Sequence, residues 1–234
     1  MTASDLGAAR IRPFGEFAFL VEVSPSSRYV VARHIADSHL PGVVDVVPAE
    51  RTVLVRYAED PSADRRQARN ALAAVLAQLP GRLSREPVGT SDDCPEVVVP
   101  VRYDGPDLEE VATLLGRSVA EVIADHLAGR YTVAFLGFAP GFAYLDGLSP
   151  RLRVPRLSTP RPRVRAGAVG IAGERSCIYP WPSPGGWRII GHTPLRLFDP
   201  AATPPTPLAP GRRVRFVAVE EARGNAVGGG MERG

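Results

Sequence analysis

Phe135-Leu-Gly-Phe-Ala-Pro-Gly-Phe-Ala-Tyr-Leu-Asp-Gly-Leu148 and Ala166-Gly-Ala-Val-Gly-Ile-Ala-Gly173 decide how the C-terminal half of this chain folds. The second stretch continues through Ile178-Tyr-Pro-Trp-Pro-Ser-Pro-Gly-Gly-Trp-Arg-Ile-Ile-Gly-His-Thr-Pro-Leu-Arg-Leu-Phe198. Short apolar runs alternate here with Gly and Pro punctuation, a pattern that extends from Tyr131 to Val219 and predicts an irregular β-barrel or sandwich. The aromatic side chains exclude a flexible linker, which would lack them. Rigid Gly-Pro loops bearing Phe, Tyr and Trp can line a small-molecule pocket, and they can equally form barrel corners plugged by aromatics. Neither stretch is a dinucleotide loop, because no strand–loop–helix context follows.

Upstream, the spacing predicts a different unit. Residues 11–23 are rich in strand formers, and Ser26 or Ser27 can cap a helix to about Ser38. Val43–Val47 and Arg51–Tyr57 read as strands. A second helix starts at Ser62, with Ala68, Leu72, Val75, Leu76 and Leu79 at helical spacing. The order β-α-β-β-α fits a small sheet with helices on one face. Residues 80–95 are rich in Pro, Gly, Ser and Asp and read as a linker. Beyond it come a strand at Glu96–Val101, a helix at Leu108–Leu115 capped by Asp107, and another at Val119–Leu127 opened by the capping box Ser118-Val-Ala-Glu121. The expected organisation is an N-terminal α+β domain over 1–85, a linker at 86–95, a barrel domain over 96–220 and a disordered tail at 221–234.

Composition bounds the chemistry. Hydrophobic residues make up 44% of the 234 residues, enough for real cores. No apolar run reaches the roughly 20 residues of a membrane span, and Met1–Arg12 lacks the apolar core of a secretory signal, so a cytoplasmic location is expected. Two cysteines and four scattered histidines indicate neither a disulfide framework nor a metal site. There is no lysine: all 28 basic residues are arginine, with a net charge of +3. No lysine can hold a nucleotide phosphate, form a Schiff base or carry biotin. The expectation is therefore no cofactor on this chain, with any ATP bound by a partner. The arginines are dispersed except in Arg151–Arg165, which lacks the aromatic interleaving of a single-strand nucleic-acid binder.

Gly137-Phe-Ala-Pro-Gly-Phe142, Ala166–Gly173, Ser183-Pro-Gly-Gly-Trp187 with Ile190-Gly-His-Thr-Pro194, and the earlier Pro41-Gly-Val-Val-Asp-Val-Val-Pro48 together resemble the KipI-like family, which includes the B subunit of 5-oxoprolinase and proteins once called allophanate hydrolase subunit 1. The likeness spans most of residues 11–217. It implies an α+β fold, with a small ferredoxin-like N-terminal domain followed by a cyclophilin-like β-barrel. It implies one component of a 5-oxoprolinase that opens 5-oxo-L-proline to L-glutamate with ATP, acting with a homologous C subunit and an A subunit and inactive alone. Other members inhibit a sensor histidine kinase or form part of urea- and allophanate-processing enzymes.

The resemblance directs attention to particular side chains. His126 stands where the family often has histidine and is a candidate general base or substrate contact; a helix C-terminal histidine favoured by the dipole is the alternative. His192 stands where the family usually has arginine, and histidine cannot reproduce an arginine fork on a carboxylate. It is taken as the second candidate catalytic residue. Arg161 and Arg163 match the family's arginines ahead of the glycine-rich strand and can hold a carboxylate or phosphate, or form a solvated loop. Candidate substrate contacts are further Phe138, Pro140, Gly141, Phe142, Tyr144, Ser176, Tyr179, Gly185, Gly186, Trp187 and Thr193. Cys177 has no adjacent base in the sequence and reads as an inert buried thiol. Asp146, where the family has glycine, reads as a turn cap.

Overall fold

The computed structural model describes residues 10–60, 64–79 and 95–220. The first two of these segments form β1 (Ile11–Pro13), β2 (Ala18–Glu22), α1 (Arg28–Asp37), β3 (Val43–Pro48), β4 (Thr52–Tyr57) and α2 (Arg65–Ala77). The strands build one antiparallel sheet in the order β1-β2-β4-β3. Alternation puts Phe19, Val21, Val53 and Val55 on one face, where Val31 and Ile35 of α1 and Leu72 and Leu76 of α2 bury them. The helices are tied by His34, whose Nε2 meets the Val75 carbonyl at 2.8 Å.

The strand-rich run expected over 11–23 is in fact a hairpin, β1 and β2, which turns through Gly15 at φ +63°. A ferredoxin-like unit closes with a strand after its second helix. Among the described residues that edge, beside β2, is held by β1, which precedes the unit in sequence. The cap of α2 is Asp64, whose carboxylate accepts from the amides of Arg66 and Gln67 at 2.8 and 3.2 Å. Ser62, the expected start, lies outside the described residues, as do the expected tail and all of the expected linker but Pro95.

Residues 95–220 form β5 (Val97–Val101), α3 (Leu108–Leu115), α4 (Val119–Leu127), β6 (Tyr131–Leu136), β7 (Ala143–Asp146), β8 (Arg161–Val164), β9 (Ala168–Ala172), β10 (Arg175–Ile178), β11 (Ser183–Gly185), β12 (Arg188–His192) and β13 (Arg213–Ala218). Seven strands run β12-β9-β10-β7-β6-β13-β5, with β13 and β5 parallel and the other pairs antiparallel. Arg102, just past β5, exchanges both backbone hydrogen bonds with His192 at 2.9 and 2.8 Å. That bridge joins the two outer strands, so the sheet is a nearly closed barrel, as the punctuation pattern predicts.

Inside the barrel pack Val99, Val133, Leu145, Ile171, Ile178 and Phe216, closed over by Val111 of α3 and Val122 of α4. The capping box at Ser118 is present: Glu121 N–H donates to Ser118 Oγ at 3.3 Å, and Ser118 N–H donates to Glu121 Oε2 at 2.9 Å. Asp107 stands at the first turn of α3 but does not cap it. Its buried carboxylate is turned instead to the Ile189 amide at 2.6 Å and to Arg161.

Candidate functional site

Successive residues of a strand face opposite sides of the sheet, so the barrel wall has an outer face as well as a core. On that outer face lie Phe142, Tyr144, Cys177, Tyr179 and Trp187, with Val164, Ala168, Ala172 and Ile189. Two local irregularities build it. A β-bulge at Ala134 breaks the register between β6 and β7: Val133 pairs with Leu145, and the next pair is Phe135 with Tyr144. The extra residue turns Phe135 outward, where it stacks on Tyr144 at 4.5 Å between ring centroids. Gly170 faces outward from β9, and a Cβ there would meet Trp187 Cβ at 3.1 Å and Cys177 Sγ at 3.3 Å. The missing side chain is what lets Trp187 lie down on the sheet.

The result is a row of rings. Phe135 stacks on Tyr144, and Tyr144 lies 6.0 Å from Trp187. Guanidinium groups stand at both ends: Arg175 is 5.4 Å from the Phe135 ring and Arg156 is 5.4 Å from the Trp187 ring. Phe142 joins the row at its side, 4.9 Å from Tyr144 and 5.0 Å from Tyr179. Beyond it Phe138 packs edge-on against Phe142 at 5.3 Å and is 64% exposed. Phe138 has φ +67°, and the Ala139 amide donates to the Gly137 carbonyl at 2.7 Å across it, a γ-turn that bulky residues rarely adopt. Pro140 accepts the indole N–H of the half-exposed Trp181 at 3.1 Å. Gly141, at φ +77°, is pressed against Phe198, whose Cβ an added Cβ would meet at 2.7 Å. Gly185 lies over the Tyr179 hydroxyl, and the Gly186 carbonyl accepts the Leu157 amide at 2.8 Å.

The aromatic and glycine candidates thus come together. Phe142, Tyr179 and Trp187 are buried in this face, whereas Phe138 and Tyr144 reach the surface. Burial also raises the Cys177 thiol well above its usual range, consistent with an inert group.

The polar candidates are elsewhere. His126 is fully buried inside the barrel, 4.5 Å from the Phe216 ring. Its Nε2 is 3.3 Å from Ser176 Oγ and its Nδ1 is 2.8 Å from the Tyr103 hydroxyl. Ser176 sends its own proton to the Gly170 carbonyl at 3.1 Å. The chain therefore has one direction: Tyr103 O–H donates to Nδ1, Nε2–H donates to Ser176, and Ser176 donates to Gly170. Every polar atom is satisfied with a neutral imidazole, and burial pushes the His126 pKa down to about 3. His126 and Ser176 face the core side of the sheet, opposite to the aromatic row.

His192 ends β12 and Thr193 follows it, five and six residues beyond Trp187. His192 Nδ1 meets Asp104 Oδ1 at 2.8 Å. Burial opposes ionisation of Asp104, but hydrogen bonds from His192 and Arg102 outweigh it and hold the carboxyl below its usual range. Thr193 caps its own turn, accepting from the Leu195 amide at 3.2 Å. The two histidines do not share a site. Arg161, read as able to hold a carboxylate or phosphate or to form a solvated loop, forks on the Asp107 carboxylate at 2.9 and 2.5 Å. Arg163 is exposed on β8. Asp146 is no turn cap: it pairs with Arg28 of α1 and, at 2.7 Å, with Arg175. Arg156, which the sequence pattern does not single out, is the cation that reaches the aromatic row from the arginine-rich stretch. The adjoining Pro155-Arg156-Leu157 carries no periodicity that would have marked it.

A family model described as carboxyltransferase domain, subdomain C and D, matches residues 9–208. The 5-oxoprolinase B subunit of Bacillus subtilis (strain 168) is 38% identical over 211 residues, 82% of either chain. That of Escherichia coli O157:H7 is 37% identical over 225 residues, 91% of this chain and 97% of the other. Among solved structures, TTHA0988 is 38% identical with a TM-score of 0.72 over 90% of this chain, which spans only 40% of the length of TTHA0988. The urea amidolyase of K. lactis, at 20% identity and a TM-score of 0.66, shares the fold over 90% of this chain and 15% of its own. The chain belongs to the carboxyltransferase subdomain C and D family, within the KipI-like group that contains the 5-oxoprolinase B subunits.

Proposed function

We propose that this chain is the B subunit of an ATP-dependent 5-oxoprolinase, hydrolysing 5-oxo-L-proline to L-glutamate together with a homologous C subunit and an A subunit. The observation that carries the reading is the match to the E. coli 5-oxoprolinase B subunit over 97% of that chain. The site agrees with a divided enzyme. Among the described residues the one hydrogen bond between serine and histidine side chains, Ser176 with His126, is sealed in the core. What reaches the surface is an aromatic face with a cation, suited to holding a small planar acid and not to activating water. The nucleotide and the ring-opening chemistry are therefore assigned to the partner chains, in keeping with a chain that has no lysine. His192, beside Asp104 at the C-terminal end of β12, remains the candidate for a catalytic contact contributed from this side, and a cyclophilin-like barrel is the fold class we assign to residues 96–220.

The test is glutamate release from 5-oxoproline and ATP by the reconstituted complex, with this chain present or omitted. Release should fall to background on omission and return on adding it back. Release that does not depend on the chain would defeat the proposal. The exposed Phe138 and Trp181 favour a second reading, a module that docks on another protein such as a sensor kinase. In that case the purified chain alone should block kinase autophosphorylation.

A further inference from the structure

Six arginines lie between Arg151 and Arg165. Arg153 pairs with Glu174 at 3.0 Å and Arg161 with Asp107. Of the others, which have no ion pair among the described residues, Arg156 alone lies against the aromatic row. At the far end of that row Arg175 is neutralised by Asp146 and Glu50, at 2.7 and 2.6 Å. Among the described residues Arg156 is thus the uncompensated charge of this face. Its backbone is pinned on both sides, since Arg188 Nε donates to the Pro155 carbonyl at 3.0 Å and Leu157 N–H donates to the Gly186 carbonyl. An exposed side chain on fixed backbone, resting on a ring, is set up to receive a ligand at low entropic cost.

We infer that Arg156 is the specificity-determining residue that holds the carboxylate of 5-oxoproline, with the lactam ring laid against Tyr144; the inference rests on the functional reading above. A guanidinium over an indole keeps its N–H edge available for a two-point contact with a carboxylate. Tyr144, half-buried and 6.0 Å from the Trp187 ring on which Arg156 rests, is the next ring of the row and offers apolar surface to the lactam. The Arg156 charge is felt within the face: burial raises the Tyr144 and Tyr179 hydroxyls, and Arg156 works against that rise. The same charge would stabilise an anion bound there.

The test is steady-state kinetics of the reconstituted complex carrying Arg156→Gln, with Arg156→Lys and Arg165→Gln alongside. Loss of one charge-assisted contact should raise the KM for 5-oxoproline roughly 10- to 100-fold, with kcat changed less than about threefold. Arg156→Lys, which keeps the charge but not the fork, should fall between, and Arg165→Gln should match the unmodified complex. The unmodified complex should prefer 5-oxoproline over its carboxamide, and Arg156→Gln should erase that preference. An unchanged KM, or an equal loss for acid and amide, would overturn the assignment. If the unmodified complex turns over no 5-oxoproline at all, the substrate reading itself fails and this assignment falls with it.

Discussion

At the residue scale, neighbours alike in sequence differ sharply in role. Arg161 and Arg163 flank one proline and look equivalent. What separates them is Asp107, 54 positions earlier, whose buried carboxylate Arg161 satisfies. No local pattern reveals such a partner. Arg161→Ala strands that carboxylate and should cost about 3–5 kcal/mol, whereas Arg163→Ala should change stability by less than about 0.5 kcal/mol; urea unfolding of both variants checks the contrast. His126 is equally illegible, because Ser176 lies 50 residues on and Tyr103 lies 23 back. Its linkage has a definite sign. The folded pKa is depressed to about 3, while an unfolded histidine titrates near 6.5. The unfolded chain therefore binds the extra proton between those values. The contribution of neutral His126 is complete above about pH 6.5 and is lost as pH falls toward 3, at up to about 1.4 kcal/mol per pH unit. Replacing it, as His126→Gln, should flatten the stability profile between pH 6 and 4 relative to wild type, even though the variant is less stable at pH 7. Parallel profiles would contradict a buried neutral imidazole.

At the element scale, local signals were readable and cross-strand ones were not. The capping box of α4 involves four consecutive residues and is present as the sequence indicates. The β-bulge at Ala134, which turns Phe135 onto the aromatic face, depends on the register with β7 and leaves no mark in a single segment. The Gly-Pro loops announced a stretch rich in aromatics, and the structure buries Phe142, Tyr179 and Trp187 in the outer face while Phe138 and Tyr144 reach the surface. Gly170 is the hinge of this arrangement. Gly170→Ala puts a methyl between Trp187 and Cys177, both buried, and should cost about 1–3 kcal/mol through overpacking. It should also move Trp187, so its fluorescence maximum should shift along with the urea midpoint. A variant as stable as wild type with an unchanged emission spectrum would show that Gly170 does not set the Trp187 position.

At the scale of the whole molecule, the two sheets meet through charge. Arg28 at the start of α1 is 1% exposed, donates to the Ala134 carbonyl at 3.2 Å and pairs with Asp146. Asp146 in turn pairs with Arg175, which reaches Glu50 between β3 and β4. The network seats the carbonyl of the bulge and the cation over Phe135 at once, so it links the α+β half to the geometry of the aromatic row. Arg28→Met leaves the Ala134 and Pro25 carbonyls without their donor and should cost about 1–3 kcal/mol, and it should separate unfolding into two transitions, read by circular dichroism and tryptophan emission. A single transition coincident in both probes would place the coupling elsewhere. At this scale the same charge network stands behind the row of rings that we propose receives the substrate. The most direct test of that account is 19F NMR of the assembled complex with 5-fluorotryptophan in this chain only, which gives two resonances, assigned through Trp181→Phe. Titration with 5-oxoproline should shift the Trp187 resonance saturably, at concentrations that match the KM. A complex that turns over 5-oxoproline while the Trp187 resonance stays fixed would contradict it.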